Sequence, residues 1–473
     1  MSPATAPPTI APMFIDFGSE GAVVESGIEA GGETAEVLGL ETREVDICIV
    51  IEVDPVGEVL KVAMDLDVVD ACTVLGTAMS PGDKSSVQSP ATSSLPSKEG
   101  NATLRAQTPP YIHAIMDPSN ANFPRLHCPQ PNLERYNYLG SSPEPTIQAQ
   151  LPKFFFALDL HQCVHLLPRL VGSIVETIRF LGPQNCVLSI VEGRSDDGTF
   201  EVLDELRSSM QLLGIKYILQ SSETNPTSKG TDRIEALAQL RNLAVNDLIA
   251  HPEHYANDTT VIFSNDIALC MEDFLELIHQ RVFQRADQIC AMDWTYVGEH
   301  PTFYDVWIAR GMTGDLFFNI PEDGSWDYAW DLFWNDQKSK ARLSASKAFQ
   351  VFACWNGVTA FTAQPLMEGK IRFRAHREEE CFQGEPKLFA KDMWFHGYGK
   401  IAVVPSVNVE YSDEAAKKIK ALKGYVSRLV ENESDDVRIE WETTPPKKVK
   451  CMPDYQHQSF RDWDEGLRAN GSE

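Results

Sequence analysis

Basic residues are scarce in this chain of 473 residues: 41 Lys and Arg stand against 68 Asp and Glu, a formal net charge of −27. A field of that sign repels nucleic-acid phosphates and anionic lipid surfaces, which argues against a nucleic-acid partner. An anionic ligand would need a local group of arginines or a bound cation. Long apolar runs are also missing. The longest, Ile47–Ile51, stops at Glu52, well short of the roughly 18–20 residues that span a bilayer. Met1–Pro12 has no basic stretch followed by an apolar core, so no signal peptide is read there. None of the 10 cysteines forms a C-x-x-C pair, which speaks against a zinc ribbon. Buried thiols and disulfides both stay open.

What is present is the composition of a soluble globular chain, 43% hydrophobic and 23% charged. Its length suits one large α/β domain with additional segments. Residues 1–110 read as an acidic, Pro/Ser-rich region expected to be largely disordered. Between Asp16 and Asp70 there are 15 acids against Arg43 and Lys61 alone. Val/Ile runs at 45–53 and 68–74 are possible strands, and residues 80–110 read as a Ser/Pro/Thr linker. Removing 1–110 is expected to leave activity intact. Residues 111–150 form an arm leading into a catalytic domain over 151–425, with a C-terminal extension over 426–473.

From residue 153 onward strands and helices alternate. Strands are expected at 153–160, 185–192, 215–220 and 259–264. Helices are expected at 166–181, 198–213, 232–248 and 271–285. This order implies a parallel sheet with crossovers, whose ligands bind at the carboxyl ends of the strands. Three such ends carry chemistry. The strand ending at Glu192 runs into Gly193-Arg194-Ser195-Asp196-Asp197-Gly198; Glu192, Asp196 and Asp197 could bind base or ribose hydroxyls, although Asp and Ser there also serve as helix caps. Arg233 and Arg241, eight residues apart, fall near one helix face, and guanidinium groups suit phosphate oxygens. Ser264-Asn265-Asp266 brings a carboxylate and an amide to the sheet edge, where Mn²⁺ or Mg²⁺ takes carboxylates together with substrate phosphates.

Downstream the chain is aromatic-rich: Met292-Asp293-Trp294, Phe303-Tyr304-Asp305-Val306-Trp307, Gly324–Tyr328 and Cys354-Trp355-Asn356-Gly357. Sugar faces stack on aromatic rings while carboxylates and amides bind hydroxyls, so Trp355 and Asn356 are candidate nucleotide-sugar contacts. Core packing is the alternative for each tryptophan alone. Glu385 and Asp392 are candidate catalytic acids near the acceptor, and His396 is a candidate metal ligand beside Asp266.

From Phe154 to about Tyr411 the chain resembles the cryptococcal mannosyltransferase family, glycosyltransferase family 69. The resemblance rests on FFFALDLHQC, GSIVETIRFLGPQNCVLSIVEGRSDDGT, RIEALAQLRN, VIFSNDIALCMEDFLEL, and CWNGV followed by ECFQGEPKLF; Cys128-Pro129 and Arg135-Tyr136 are similar to the family's lead-in. It implies a GT-A-like, Rossmann-related mixed sheet flanked by helices, a GDP-mannose donor, a glycan or mannoside acceptor, and α-1,3 transfer with retention, aided by a divalent cation. It implies that Glu192, Asp196 and Asp197 face the nucleotide, that Arg233 and Arg241 lie near the phosphates, and that Asp266 takes the metal position. It further implies a Golgi-lumen enzyme with one N-terminal membrane anchor, which is not seen in this sequence. The Asn of Asn265-Asp266 departs from the two-carboxylate D-x-D of many glycosyltransferases. A non-catalytic carbohydrate-binding relative and a transferase using another nucleotide sugar are the rival readings.

Overall fold

The computed structural model describes residues 48–53, 59–65, 100–140, 151–431 and 438–467. The chain divides into two units, residues 11–95 and the remainder. Within the first, β1 (Cys48–Val53) and β2 (Val59–Asp65) pair as an antiparallel hairpin. β1 falls on the Val/Ile run expected as a strand. The other run, 68–74, lies outside the described residues, as does the Pro-rich start.

The larger unit is built on one mixed sheet. Its first strands are β3 (Phe154–Leu160), β4 (Cys186–Glu192), β5 (Lys216–Ser221) and β6 (Thr260–Ser264). Next come β7 (Gln288–Val297), β8 (His300–Phe303), β9 (Phe349–Gln350), β10 (Val358–Thr362) and β11 (Ile401–Val409). The order across the sheet is β5-β4-β3-β6-β10-β7-β11-β9, with β8 folded back onto β7. β5, β4, β3 and β6 run parallel, as the strand–helix alternation requires. β10 enters antiparallel between β6 and β7 and makes the sheet mixed. A separate hairpin of β12 (Lys448–Cys451) and β13 (Ser459–Asp462) lies near the C-terminus.

Period-two alternation divides the strands' side chains between two cores. In β3, Phe154, Phe156, Leu158 and Leu160 join the helices Leu167–Leu181, Thr199–Leu212 and Met271–Gln284. Phe155 and Ala157 join the helix Arg233–Ala244 and the aromatic segment around Phe317, Phe333 and Phe349 on the opposite face. Both faces are therefore covered, which is why these strands read as continuous apolar runs rather than alternating ones. The helix expected over 232–248 is broken at Val245 into Arg233–Ala244 and Asn246–Ala250.

The arm is held by the helix Met271–Gln284. Arg135 Nε and the Tyr136 hydroxyl both donate to Glu276 Oε2, at 2.8 and 2.9 Å, and a disulfide joins Cys128 to Cys270. The last residues of the expected linker have defined contacts. Residues 101–105 are part of the folded unit: Asn101 caps the short helix Ala102–Arg105, its backbone N–H donates to buried Glu201 at 2.8 Å, and Arg105 pairs with Asp204 and Glu205.

Candidate active site

The sheet order reverses between β3 and β6, because β4 and β5 lie to one side of β3 and the later strands to the other. A crevice forms outside the carboxyl ends of strands at such a reversal. Two carboxylates enter it. Asp159 is the penultimate residue of β3, and Asp266 lies two residues beyond the end of β6; the register Leu158↔Ser264 sets Asp159 level with Asn265. Burial pushes the half-buried Asp266 carboxyl up to about 6; its own backbone N–H opposes the shift, and the charge of Asp159 adds to it. Asp159 is also raised by burial, with Arg241 opposing and Glu385 adding.

Arg241 lies beside them. Asp232 starts its helix by accepting from the backbone N–H groups of Ile234 and Glu235 at 2.9 and 3.1 Å. Two turns later Arg241 is buried, donating from Nε to Glu385 Oε1 at 2.7 Å and lying 3.8 Å from Asp159 through Nη1. Its guanidinium carbon sits 4.5 Å from the Trp355 ring centre and 5.1 Å from that of Phe263. Burial alone would lower its pKa, but Asp159 and Glu385 outweigh burial and raise it. Among the described residues Nη1 donates no hydrogen bond. Arg233, at the start of the same helix, is half-buried, and that burial lowers its pKa against the pull of Glu385 and Tyr304.

The opposite wall is the turn before β10. Asn265 Oδ1 accepts from the Trp355 indole at 3.1 Å, so its amide orients the ring. Asn356 and Gly357 both take left-handed backbone, φ +55° and +78°. A Cβ on Gly357 would lie 3.2 Å from Val409 and 3.5 Å from the Asp293 Cβ, so the turn needs glycine on both counts. The turn is tied to β7 by the Cys290–Cys354 disulfide and by Asn356 Nδ2 donating to Ala291 O at 2.7 Å.

This arrangement leads to two further acids. Asp305 Oδ2 accepts from the Asn356 N–H at 3.0 Å, and Asp293 Oδ2 accepts from the Tyr411 hydroxyl at 3.0 Å. Asp293 is fully buried, and its Oδ1 has no hydrogen-bond partner among the described residues. Burial raises Asp293 well above the usual carboxylate range and the neighbouring Asp305 adds to this; burial pushes Asp305 up to about 6. Two like charges this enclosed cannot both ionise cheaply.

Of the residues read from the sequence, Asp266, Asn265, Arg241, Glu385, Trp355 and Asn356 come together here, with Arg233 at the margin. The others are held by partners of their own. Glu192 is fully buried and accepts from the Ser195 N–H at 2.6 Å and the Ser221 hydroxyl at 3.2 Å, bracing the loop after β4. Asp197 accepts from the Val164 and Thr199 N–H groups, both at 2.9 Å, and exposed Asp196 accepts from Gln162 at 2.5 Å. Asp392 is held by both forks of Arg374, at 2.7 and 2.8 Å, about 10 Å along the helix Glu385–Phe395 from Glu385. His396 is exposed at the far end of that helix, about 16 Å from Glu385, and is not brought to Asp266. Asp159, Asp293, Asp305 and Tyr411 were not singled out as site residues. For Asp159 the available signal was an acid closing an otherwise apolar strand.

The sequence signature described as Cryptococcal mannosyltransferase 1 matches residues 153–392, a span holding the four acids, Glu385 and Arg241. The chain belongs to this family. This mannosyltransferase is 33% identical over 346 residues to the α-1,3-mannosyltransferase CMT1 of Cryptococcus neoformans, covering 69% of this chain and 72% of that protein. It is thus an enzyme of the mannosyltransferase class. Among solved structures, it is similar to residues 1–349 of S. aureus TarS at 13% identity, covering 55% of this chain and 60% of that one, with a TM-score of 0.32. It is also similar to the mannosyltransferase PcManGT of Pyrobaculum calidifontis, solved with GDP-Man and Mn²⁺, at 10% identity, covering 63% and 72%, with a TM-score of 0.33.

Proposed function

We propose that this enzyme moves mannose from GDP-mannose to a glycan acceptor in α-1,3 linkage with retention, using a divalent cation. The observation that carries the reading is the pair of carboxylates, Asp159 and Asp266, at the sheet's reversal point beside the Arg241–Glu385 pair. This location supports a GT-A-like reading of the sheet, and family membership supports the donor and linkage.

The donor set fits Mn²⁺ or Mg²⁺. Two hard carboxylate oxygens from adjacent strands suit a cation that completes its shell with phosphate and water. Asp266 and Asp159 are the residues that would hold it, whereas His396 lies too far along its helix. When bound, the cation neutralises charge developing on the leaving diphosphate. The protein's own groups supply the rest. Arg241 keeps Glu385 and Asp159 in register, and Arg233 lies at the margin, where a guanidinium suits phosphate. The Trp355 face, fixed by Asn265, offers a surface for a sugar or base. Asp305, half-buried, is positioned to accept a hydrogen bond from a sugar hydroxyl.

Three disulfides among the described residues, Cys128–Cys270, Cys290–Cys354 and Cys381–Cys451, support folding in an oxidising compartment, in keeping with the secretory pathway. Among the described residues no helix is long and apolar enough to cross a membrane.

The test is GDP release and mannose transfer from GDP-mannose with Mn²⁺, with and without EDTA, in the wild type and Asp266→Asn. Cation-dependent transfer lost in the variant is expected. Undiminished transfer by Asp266→Asn would remove Asp266 from the site. Transfer from a different nucleotide sugar alone would correct the donor.

A further inference from the structure

A group of candidate metal ligands precedes the amino-terminal end of β6. His251, Pro252, Glu253 and His254 form a tight turn after the helix Asn246–Ala250, on the side from which the chain enters β6. Asp266 follows the opposite end of β6, so the length of that strand, about 17 Å, separates the two places.

The turn is built rather than incidental. His254 N–H donates to His251 O at 3.0 Å and Tyr255 N–H to Pro252 O at 3.2 Å. Pro252 fixes the backbone at the first position. Tyr255 anchors the turn by burying its ring against Phe155 and bonding its hydroxyl to Asp247. The two imidazoles stack at 5.2 Å, 20° from parallel. Glu253 Oε1 sits 3.8 Å from His251 Nδ1 and 3.6 Å from His254 Nε2, and all three ligand atoms lie within 4.8 Å of one another. Ligands about 2.1 Å from a tetrahedral zinc ion are about 3.4 Å apart, so small side-chain adjustments would close the set. All three residues are exposed, so an ion can reach them without opening the fold.

We propose that His251, Glu253 and His254 form a divalent transition-metal site of the zinc class, separate from the transferase centre. Two imidazole nitrogens and one carboxylate oxygen suit Zn²⁺, Cu²⁺ or Ni²⁺ and disfavour Mg²⁺, which takes oxygen ligands. Water completes the coordination. The site makes no use of the donor-binding residues and stands whether or not the transferase reading does.

Zn²⁺ would be titrated calorimetrically into the full chain carrying Asp266→Asn, which weakens the transferase cleft as a competing zinc site. One zinc equivalent is expected, and His251→Ala/His254→Ala in that background should abolish it. Glu253→Gln should weaken binding by at least about tenfold, the scale seen even for outer-shell changes. Cu²⁺ bound to the full chain should show hyperfine splitting from two imidazole nitrogens, lost in the double variant. Because the three residues are exposed, all variants should unfold at the parent's temperature. Zinc binding unchanged by the double variant, or no zinc uptake by the Asp266→Asn chain, would overturn the proposal.

Discussion

Removing Arg241 should destabilise the fold strongly, and removing its partner with it should restore most of the loss. The guanidinium is 7% and the Glu385 carboxylate 3% exposed at the side chain, joined at 2.7 Å, with Asp159 at 3.8 Å. Solvent screening is therefore weak, and the energetics are those of a buried pair. Arg241→Met keeps an apolar stem over Trp355 but leaves Glu385 charged and unpartnered. Breaking a buried pair from one side costs about 3–5 kcal/mol. In Arg241→Met/Glu385→Leu no uncompensated carboxylate remains at position 385, and apolar replacement of a whole pair is about neutral. Asp159, less buried than Glu385, can take up a proton. Urea unfolding followed by tryptophan fluorescence at pH 7 measures both variants. A single variant losing less than about 1 kcal/mol, or a double variant no more stable than the single, would refute this account. Transfer activity then separates brace from ligand: a stable double variant that no longer turns over gives the pair a part in turnover beyond bracing, while a stable and active one makes the pair purely structural.

Other consequences follow from the acids and the cross-links. Asp293 has its folded pKa raised above its unfolded value, so the stability linked to its proton is fully present below the unfolded pKa and is lost as pH rises through the folded one. Asp293→Asn cannot ionise; relative to the wild type it should be more stable at pH 8 than at pH 5, and parallel urea midpoints across that range would count against the raised Asp293 pKa. Loss of the Cys290–Cys354 bond, as Cys290→Ala/Cys354→Ala, should cost about 4 kcal/mol by loop-closure entropy, and because the bond adjoins Trp355 the remaining folded enzyme should show weaker donor binding; an unchanged KM for the donor would separate the bond from the site. A chain starting at residue 111 should be about 1–3 kcal/mol less stable than one starting at residue 96, because buried Glu201 loses the Asn101 N–H; equal urea midpoints would contradict that.

The strands and helices of the parallel half were legible because each obeys a local rule. β3, β4 and β6 are short apolar runs, and the helices between them carry apolar faces and end signals such as Asp232 or Gly182. The break at Val245 left no such mark, since the sequence runs on through Asn246 with helical spacing. β10 could be read neither as a strand nor as antiparallel, because its place between β6 and β7 depends on contacts roughly 70–100 residues distant. The same difference of scale separates the site residues found from those missed. Asp266 and Arg241 lie where a strand or helix pattern announces them. Asp293 and Asp305 acquire their partners only after Asn356 and Tyr411 arrive from other parts of the chain. Glu192 shows the converse: its position at a strand end was read correctly, but local pattern cannot distinguish an acid open to the cleft from one fully enclosed by Ser195 and Ser221.

The asparagine in Ser264-Asn265-Asp266 illustrates how a departure from a two-carboxylate motif can be compensated in three dimensions. A second acid at position 265 would face the Trp355 indole nitrogen, and it would add charge beside Asp266, whose carboxyl already resists ionisation. The amide instead accepts the indole N–H without charge, and on the function proposed above the second carboxylate would come from the neighbouring strand as Asp159, where Arg241 partly offsets it. That would spread the acid pair over two strands and leave Asn265 to fix the aromatic wall. On this reasoning Asn265→Asp should not improve cation binding. It should keep the Trp355 bond, because a carboxylate also accepts the indole N–H, and lower kcat/KM by adding charge beside Asp266, and a variant with tighter Mn²⁺ binding and full turnover would show that position 265 faces the cation after all.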